Sequence, residues 1–492
     1  MKAVKKKAVY PVLLVSVLII VLGGIRNVPH VVATGTIYIR ADGLIYPSDA
    51  PIHPDGTVYT LTGNISDSIV IHRDNVVIDG AAMYSLEGPG DYDSIGLDVT
   101  SRFNVTVRNF KDIRSFGYGI LLNLSSNIVI YGNTVTANNG GGILLSEVTD
   151  SVIYGNNMTS NNNYDVKLRY SSHNEIYDNY PRRILLEWNS NNNSIFDNRI
   201  TVSGQEGIGL GWSADNNTIS GNHIQGGLYG VHVFYASNQS IIGNTISETR
   251  YGLHFTDSSQ NFISRNLVTN VTTAIFLASS SENTIFHNTF MDFEHDAFVF
   301  DSHINLWDYS HPNGGNYWSN YSGADSNHDG IGDSSHILDP ENRDNYPLMG
   351  PFTRFNTSAG KYVNIISNST VDGFEYEASG SIRFYVSNMT ANQTHGFCRV
   401  RIPYEMVSTP FNVTVDGTTP TYWNYTLHDN GTHRWIYFEY EHSKREVLII
   451  PDSATVLILP LFMSLMLLTV LAQKRQYPRM RSCSEDEQPN QP

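Results

Sequence analysis

The segment Asp325-Ser326-Asn327-His328-Asp329-Gly330-Ile331-Gly332-Asp333 places oxygen-bearing side chains at its first, third, fifth and ninth positions. With a glycine sixth and a backbone carbonyl seventh, this is the front half of a calcium loop. The expected ligands are Asp325, Asn327, Asp329, Asp333 and the carbonyl of Ile331, with Gly330 permitting the sharp turn. His336 stands where an EF-hand carries its bidentate glutamate, so Asp339, Asp344 or Asn345 would supply the missing oxygen. The plainer alternative is a solvated turn. A bound Ca²⁺ here would lock a structural cap and do no catalysis.

Four aromatic residues form a second candidate. Tyr170, Trp188, Trp212 and Tyr235 each follow an aliphatic residue, Leu168, Leu186, Leu210 and Val233, by two positions. Strict strand alternation points them inward as an internal aromatic stack. A reversal of parity at a nearby corner would instead turn them outward, as a strip able to hold sugar rings.

Three further groups are weaker. His232 and His254 are expected at the same outward position of neighbouring repeats, an exposed pair lacking the third ligand a metal site wants. Arg169 and Glu187 are expected as an outward ion pair. Asp292-Phe293-Glu294-His295-Asp296 clusters the carboxylates that acid–base chemistry uses, in what reads as a turn. None of these isolates a nucleophile or a base, so the chain is read as a binding protein ahead of an enzyme.

These residues are positioned by a repeat. Asn109, Asn133, Asn156, Asn179, Asn198, Asn222, Asn244, Asn266 and Asn288 follow one another at steps of 24, 23, 23, 19, 24, 22, 22 and 22. A second series, from Gly119-Ile120 and Gly142-Ile143 to Ala297-Phe298, runs between them. Short β-branched runs at a period near 22 indicate a solenoid, and the Leu-x-x-Leu-x-Leu frame of leucine-rich repeats is absent. Asparagine at a fixed corner suits left-handed turns and can stack its amides from coil to coil. The fold class expected is all-β: a right-handed parallel β-helix of about ten or eleven coils, a rod of roughly 50 Å. The asparagines are assigned to the scaffold, with no ligand role.

Both ends read as membrane signals. Lys2, Lys5, Lys6 and Lys7 precede an apolar run from Ala8 to Leu22, with small residues near Ala33, which makes 1–33 a signal peptide or signal anchor. Residues 453–472 are apolar enough to span a bilayer as one helix, and Lys474, Arg475, Arg479 and Arg481 place the tail 473–492 in the cytoplasm. Between them stand the solenoid with its N-terminal cap (34–306), an acidic C-terminal cap (307–350) and a membrane-proximal stalk (351–452). Alternating strands from Ser381 to Ile450 suggest a small β-sandwich for the stalk. Eight asparagines lie between Pro351 and Ile450, and all but Asn364 begin an Asn-Xaa-Ser/Thr sequon, so the stalk is expected to be glycosylated. The net charge of −16 argues against a nucleic-acid partner. Cys398 and Cys483 fall on opposite sides of the expected membrane, so no disulfide joins them.

Thr36-Ile37-Tyr38-Ile39-Arg40-Ala41-Asp42-Gly43, Asn75-Val76-Val77-Ile78-Asp79-Gly80 and the ending Gly315-Asn316-Tyr317-Trp318-Ser319 through Tyr346-Pro347-Leu348-Met349-Gly350 carry a family likeness. Over residues 36–350 the chain resembles archaeal NosD-like β-helix surface proteins with pectate-lyase-type repeats. The resemblance implies the fold. The periplasmic members that give the family its name assist copper insertion into nitrous oxide reductase. The sequence offers no set of thioether and thiolate ligands, so that activity is not carried over. The expected function is binding or adhesion to carbohydrate or surface partners at the cell surface. The alternatives are a polysaccharide-active lyase, hydrolase or epimerase and a structural envelope protein.

Overall fold

In a computed structural model the described residues are 35–451, except Ser203 and Ala378. The expected signal segment, membrane span, cytoplasmic tail and Cys483 lie outside them. Every regular element among the described residues is a β-strand, and none is a helix long and apolar enough to cross a membrane. The chain divides into two compact units at Phe352/Thr353.

The first unit is a parallel β-solenoid of the right-handed type with about eleven turns. Each coil has three faces. The first carries strands such as Gly141–Ser146, Val166–Arg169, Ile184–Glu187, Glu206–Gly211 and Tyr229–Phe234. The second carries Val129–Tyr131, Val152–Tyr154, Glu175–Tyr177 and their successors. The third is shorter, with pairs such as Asn157–Met158 and Tyr180–Pro181. The second face is a twelve-stranded sheet whose first strand, Ile52–Asp55, pairs antiparallel with Val58–Leu61; the remaining eleven stack in parallel. That hairpin and the antiparallel pair Ile37–Ile39 with Ile45–Tyr46 close the N-terminal end.

Alternation dictates the interior. Ile143, Leu145, Val166, Leu168, Ile184, Leu186, Ile208, Leu210, Val231 and Val233 take successive inward positions of the first face and are wholly buried. Register is in step from coil to coil, with Val166 against Ile184 and Ile184 against Ile208, so like packs on like. Each buried aliphatic side chain contributes about 2–3 kcal/mol.

Where the second face turns into the third, the asparagines form a ladder. Asn133 Nδ2 donates to Asn156 Oδ1 at 3.0 Å, and the same bond repeats through Asn179, Asn198, Asn222, Asn244, Asn266 and Asn288 to Asn316. Asn109 is not a rung: Phe110 holds that position and Asn109 is the left-handed residue before it, which explains the first step of 24. A second ladder runs along the corner between the first and second faces, through Asn174, Asn193, Asn217, Gln239, Asn261, Asn283, Asn305 and Asn342. Both ladders end on carboxylates. The Asn316 N–H donates to Asp344 Oδ2 at 2.7 Å, and Asn342 Nδ2 donates to Asp339 Oδ2 at 3.0 Å. In each case a carboxyl oxygen accepts the last bond and so closes a row of donors. The buried Trp307 and Trp318 indoles donate to Asn342 and Asp344.

The second unit holds a five-stranded and a four-stranded antiparallel sheet. Their buried residues, including Val363, Ile365, Phe384, Val400, Phe438 and Ile449, make one apolar cluster.

Candidate functional site

The residue that leaves the first face is in the left-handed region in ten successive coils. It is Ser101, Leu124, Glu147, Tyr170, Trp188, Trp212, Tyr235, Asp257, Ser279 and Asp301 in turn, with φ between 48° and 57°. This corner breaks the alternation and overturns the inward reading of the aromatic residues. Tyr170, Trp188, Trp212 and Tyr235 face solvent at 52, 43, 44 and 52% exposure. Trp188 stacks on Trp212 at 5.6 Å, and Trp212 on Tyr235 at 5.2 Å. Stacked this way, the rings turn their faces largely to one another and present edges outward. Their indole N–H and phenol groups make no hydrogen bond among the described residues, and so remain available as donors.

Beside this corner the first face carries charge. Glu187 turns back to Lys167, Nζ to Oε2 2.7 Å, and does not take the Arg169 expected for it. Lys167 is largely buried, 5.3 Å from the centre of the Tyr164 ring, and its pKa is lowered chiefly by that burial despite Glu187. Arg169, which precedes Tyr170 in the chain, stays exposed.

Farther along this face His232 and His254 lie in one column, but not as an exposed polar pair. Their rings cross edge to face at 4.9 Å among Tyr229, Tyr251 and Phe276, and His254 stacks on Phe276 at 4.4 Å. Burial, with the neighbouring His232, pushes the His254 pKa down to about 3.

On the opposite edge of the face is a notch that the sequence reading did not identify. Between the third and first faces, Met158 to Val166 spans eight positions, Pro181 to Ile184 only three, and Ile200 to Ile208 again eight. The middle coil is five residues short at this turn. The gap encloses about 280 Å³ lined by Asn161, Asn163, Tyr164, Arg182, Gln205 and Glu206, among others. Arg182 and Arg183 are all that remains of the short turn. Arg182 donates to the Asn161 carbonyl and lies 3.8 Å from Asp165, while Arg183 bridges the Asn163 carbonyl above and Glu206 below. The signal in the sequence was the 19-residue step from Asn179 to Asn198.

The remaining candidates lie in the C-terminal cap and in the last solenoid strand before it. Asp325 accepts the N–H groups of Asp329 and Gly330, each at 2.9 Å; Asp329 accepts that of Ile331 and Asp333 that of Ser326. Asp325 is pushed up mainly by burial, with the charge of Asp329 adding to it. Asn327 is exposed. Among the described residues no group of three or more His, Cys, Asp or Glu side chains converges as a metal site. Asp292–Asp296 lies within the strand Thr289–Phe300, not in a turn. Burial works against the charge of Asp296, but hydrogen bonds from His336 and Asn320 prevail and hold its pKa down at about 2. It is a structural anchor for the cap.

Residues 57–181 and 184–323 match the family model described as periplasmic copper-binding protein (NosD). No curated protein matches the chain. Among solved structures, the A-module of the Azotobacter vinelandii mannuronan C-5 epimerase AlgE6 is similar in fold at 15% identity and a TM-score of 0.35, covering 56% of this chain and 88% of that one. The periplasmic alginate epimerase AlgG is similar at 13% identity and a TM-score of 0.32, covering 55% and 84%. A tailspike protein of E. coli bacteriophage HK620 is similar at 8% identity and a TM-score of 0.32, covering 81% and 86%.

Within the matched segments there is no cysteine to supply a thiolate for copper. Cys398, the one cysteine among the described residues, is wholly buried outside the matched segments, and burial pushes its thiol up to about 12. Met158 is packed in the solenoid core, Met83 is exposed and Met291 half-buried, and among the described residues His232 and His254 belong to no group of three or more His, Cys, Asp or Glu side chains. The matched segments nevertheless span more than half of the 492 residues, and with the observed solenoid they establish that the chain belongs to the NosD family.

Proposed function

We propose that the solenoid is a non-catalytic polysaccharide-binding module displayed outside the cell, in a chain that also carries a glycosylated β-sandwich stalk and a C-terminal membrane span. The observation that carries the binding reading is the run of four exposed aromatic residues at consecutive left-handed corners. That backbone region costs a residue with a Cβ about 1–2 kcal/mol, and asparagine or aspartate tolerates it better, as Asp257 and Asp301 do in the same column. Four large rings there are poor scaffold choices, and their free N–H and OH groups suit sugar hydroxyls. Of the titratable groups on this face, Lys167 is paired with Glu187, Arg183 with Glu206 and His254 is uncharged, while the exposed Arg169 offers donors only. This favours binding over catalysis.

Trp212→Asn in the full-length protein is therefore expected to change stability by no more than about 1 kcal/mol, with lost stacking offset by a better left-handed residue. It should also weaken retention on polysaccharide at least about tenfold. Unchanged retention across a panel of neutral and acidic polysaccharides would refute the assignment. Release of unsaturated or reducing-end products by the wild type would replace it with the enzymatic reading.

We also propose a structural Ca²⁺ on Asp325, Asn327, Asp329, Asp333 and the Ile331 carbonyl. Support comes from the proximity of Asp325 and Asp329 and the left-handed Gly330, φ 78°. An ion bound only by the native state raises its stability, by about 2.7 kcal/mol at a hundredfold excess over Kd. Chelation is expected to lower Tm, with recovery on adding Ca²⁺. A Tm indifferent to chelator rules the ion out.

A further inference from the structure

The notch left by the short coil has the properties of a sugar subsite. Coils stack at about 4.8 Å, so the turns on either side of the missing one stand about 10 Å apart. The walls are Asn161–Asp165 on one side and Val202, Gly204, Gln205 and Glu206 on the other, with Arg182 and Arg183 as the floor. At about 280 Å³ the space is just below the ~300–1,000 Å³ of sites for drug-sized ligands, enough for one ring.

Its charges are balanced. Arg182 is beside Asp165 and Arg183 is paired with Glu206, so two cations meet two carboxylates inside the lining. A carboxylate ligand entering would have to compete with Glu206 for Arg183, and a cation would have to displace Arg183 from Glu206. An uncharged ligand disturbs neither pair.

Its open hydrogen-bonding capacity is mixed. The Asn161 amide is saturated: its Oδ1 accepts from Asn138 Nδ2, and its Nδ2 donates to the Val135 carbonyl and to Asp165 Oδ1. The Asn163 and Gln205 side chains are exposed and their amides make no bond among the described residues. Amides able both to donate and to accept match a ring bearing several hydroxyls.

We infer that the notch binds one neutral hexose residue of a polysaccharide whose neighbouring residues cross the first face towards Trp188 and Trp212. This rests on the binding reading above and names its substrate class: neutral glycan, not polyuronate.

The test uses full-length protein and fluorescently labelled hexasaccharides, gluco-, manno- and galacto-hexaoses against the corresponding hexauronates. Wild type is expected to bind at least one neutral hexaose about tenfold more tightly than its uronate counterpart. Gln205→Trp, which fills the notch from one wall, should weaken that binding at least about tenfold with Tm unchanged. If that variant does not fold, Asn163→Trp fills the notch from the other wall. Uronates bound as tightly as neutral sugars, or a filled notch with unaltered affinity, would overturn the inference. If Trp212→Asn then still abolishes binding, the aromatic corner stands without the notch. If wild type binds no hexasaccharide and no polysaccharide of either class, the binding reading falls and takes the notch with it.

Discussion

Asn222→Leu is expected to destabilise the solenoid by about 3–6 kcal/mol, read as a fall in the urea unfolding midpoint. The Asn222 Oδ1 accepts both the backbone N–H and the Nδ2 of Asn198, each at 3.0 Å. Its Nδ2 donates to Ile195 O at 2.9 Å and to Asn244 Oδ1 at 3.0 Å. Leucine has similar bulk but leaves these groups buried without partners, and each such group costs about 1–3 kcal/mol. The control is Asn216, six positions earlier, exposed and left-handed at φ 59°. Asn216→Ala should cost only the backbone preference, about 1 kcal/mol. Equal losses at the two sites would mean that the ladder is not what holds successive coils together.

Two buried groups are expected to tilt the pH dependence of stability in opposite directions. His254 has a pKa of about 3 in the fold against 6.5 as the ordinary value. The unfolded chain therefore takes up a proton first, so the stability His254 confers is complete above 6.5 and is lost as pH falls towards 3. Asp344 is the reverse. Burial raises it to about 7 from 3.8, against the N–H groups of Asn316, Trp318 and Tyr346. Its contribution is complete below 3.8 and lost as pH rises to 7.

From pH 8 to pH 5 the burden on wild type from His254 grows by about 2 kcal/mol, at 1.36 kcal/mol per pKa unit. His254→Phe, which continues the stack of Phe276 and Phe298, should gain that much relative to wild type over the same interval. Asp344→Asn should gain about 2–3 kcal/mol relative to wild type in the other direction, from pH 5 to pH 8, whatever its absolute stability. Unfolding curves at the two pH values decide it. If either difference is independent of pH, that group is not the one titrating.

The solenoid and its coil count are legible in one dimension because a repeat writes the same physical demand many times. Inward Val, Ile and Leu recur at a period near 22, and the corner asparagines that tie coil to coil mark each turn. Family membership follows from the same segments. The placement of the site was not legible, for reasons that belong to three dimensions. Tyr170, Trp188, Trp212 and Tyr235 stand at the right spacing, but a left-handed corner reverses their direction, and alternation carries no information about a backbone that leaves the strand. Glu187 lies opposite Arg169 in register yet bonds to Lys167, because a side chain chooses its partner across the surface and not along the ladder. Arg182, Arg183 and Glu206 belong to two different coils and meet only because a turn is missing between its neighbours. Periodicity determines the scaffold. The departures from it, a left-handed corner and a short coil, determine where a ligand can sit, and their effect appears only once the coils are stacked.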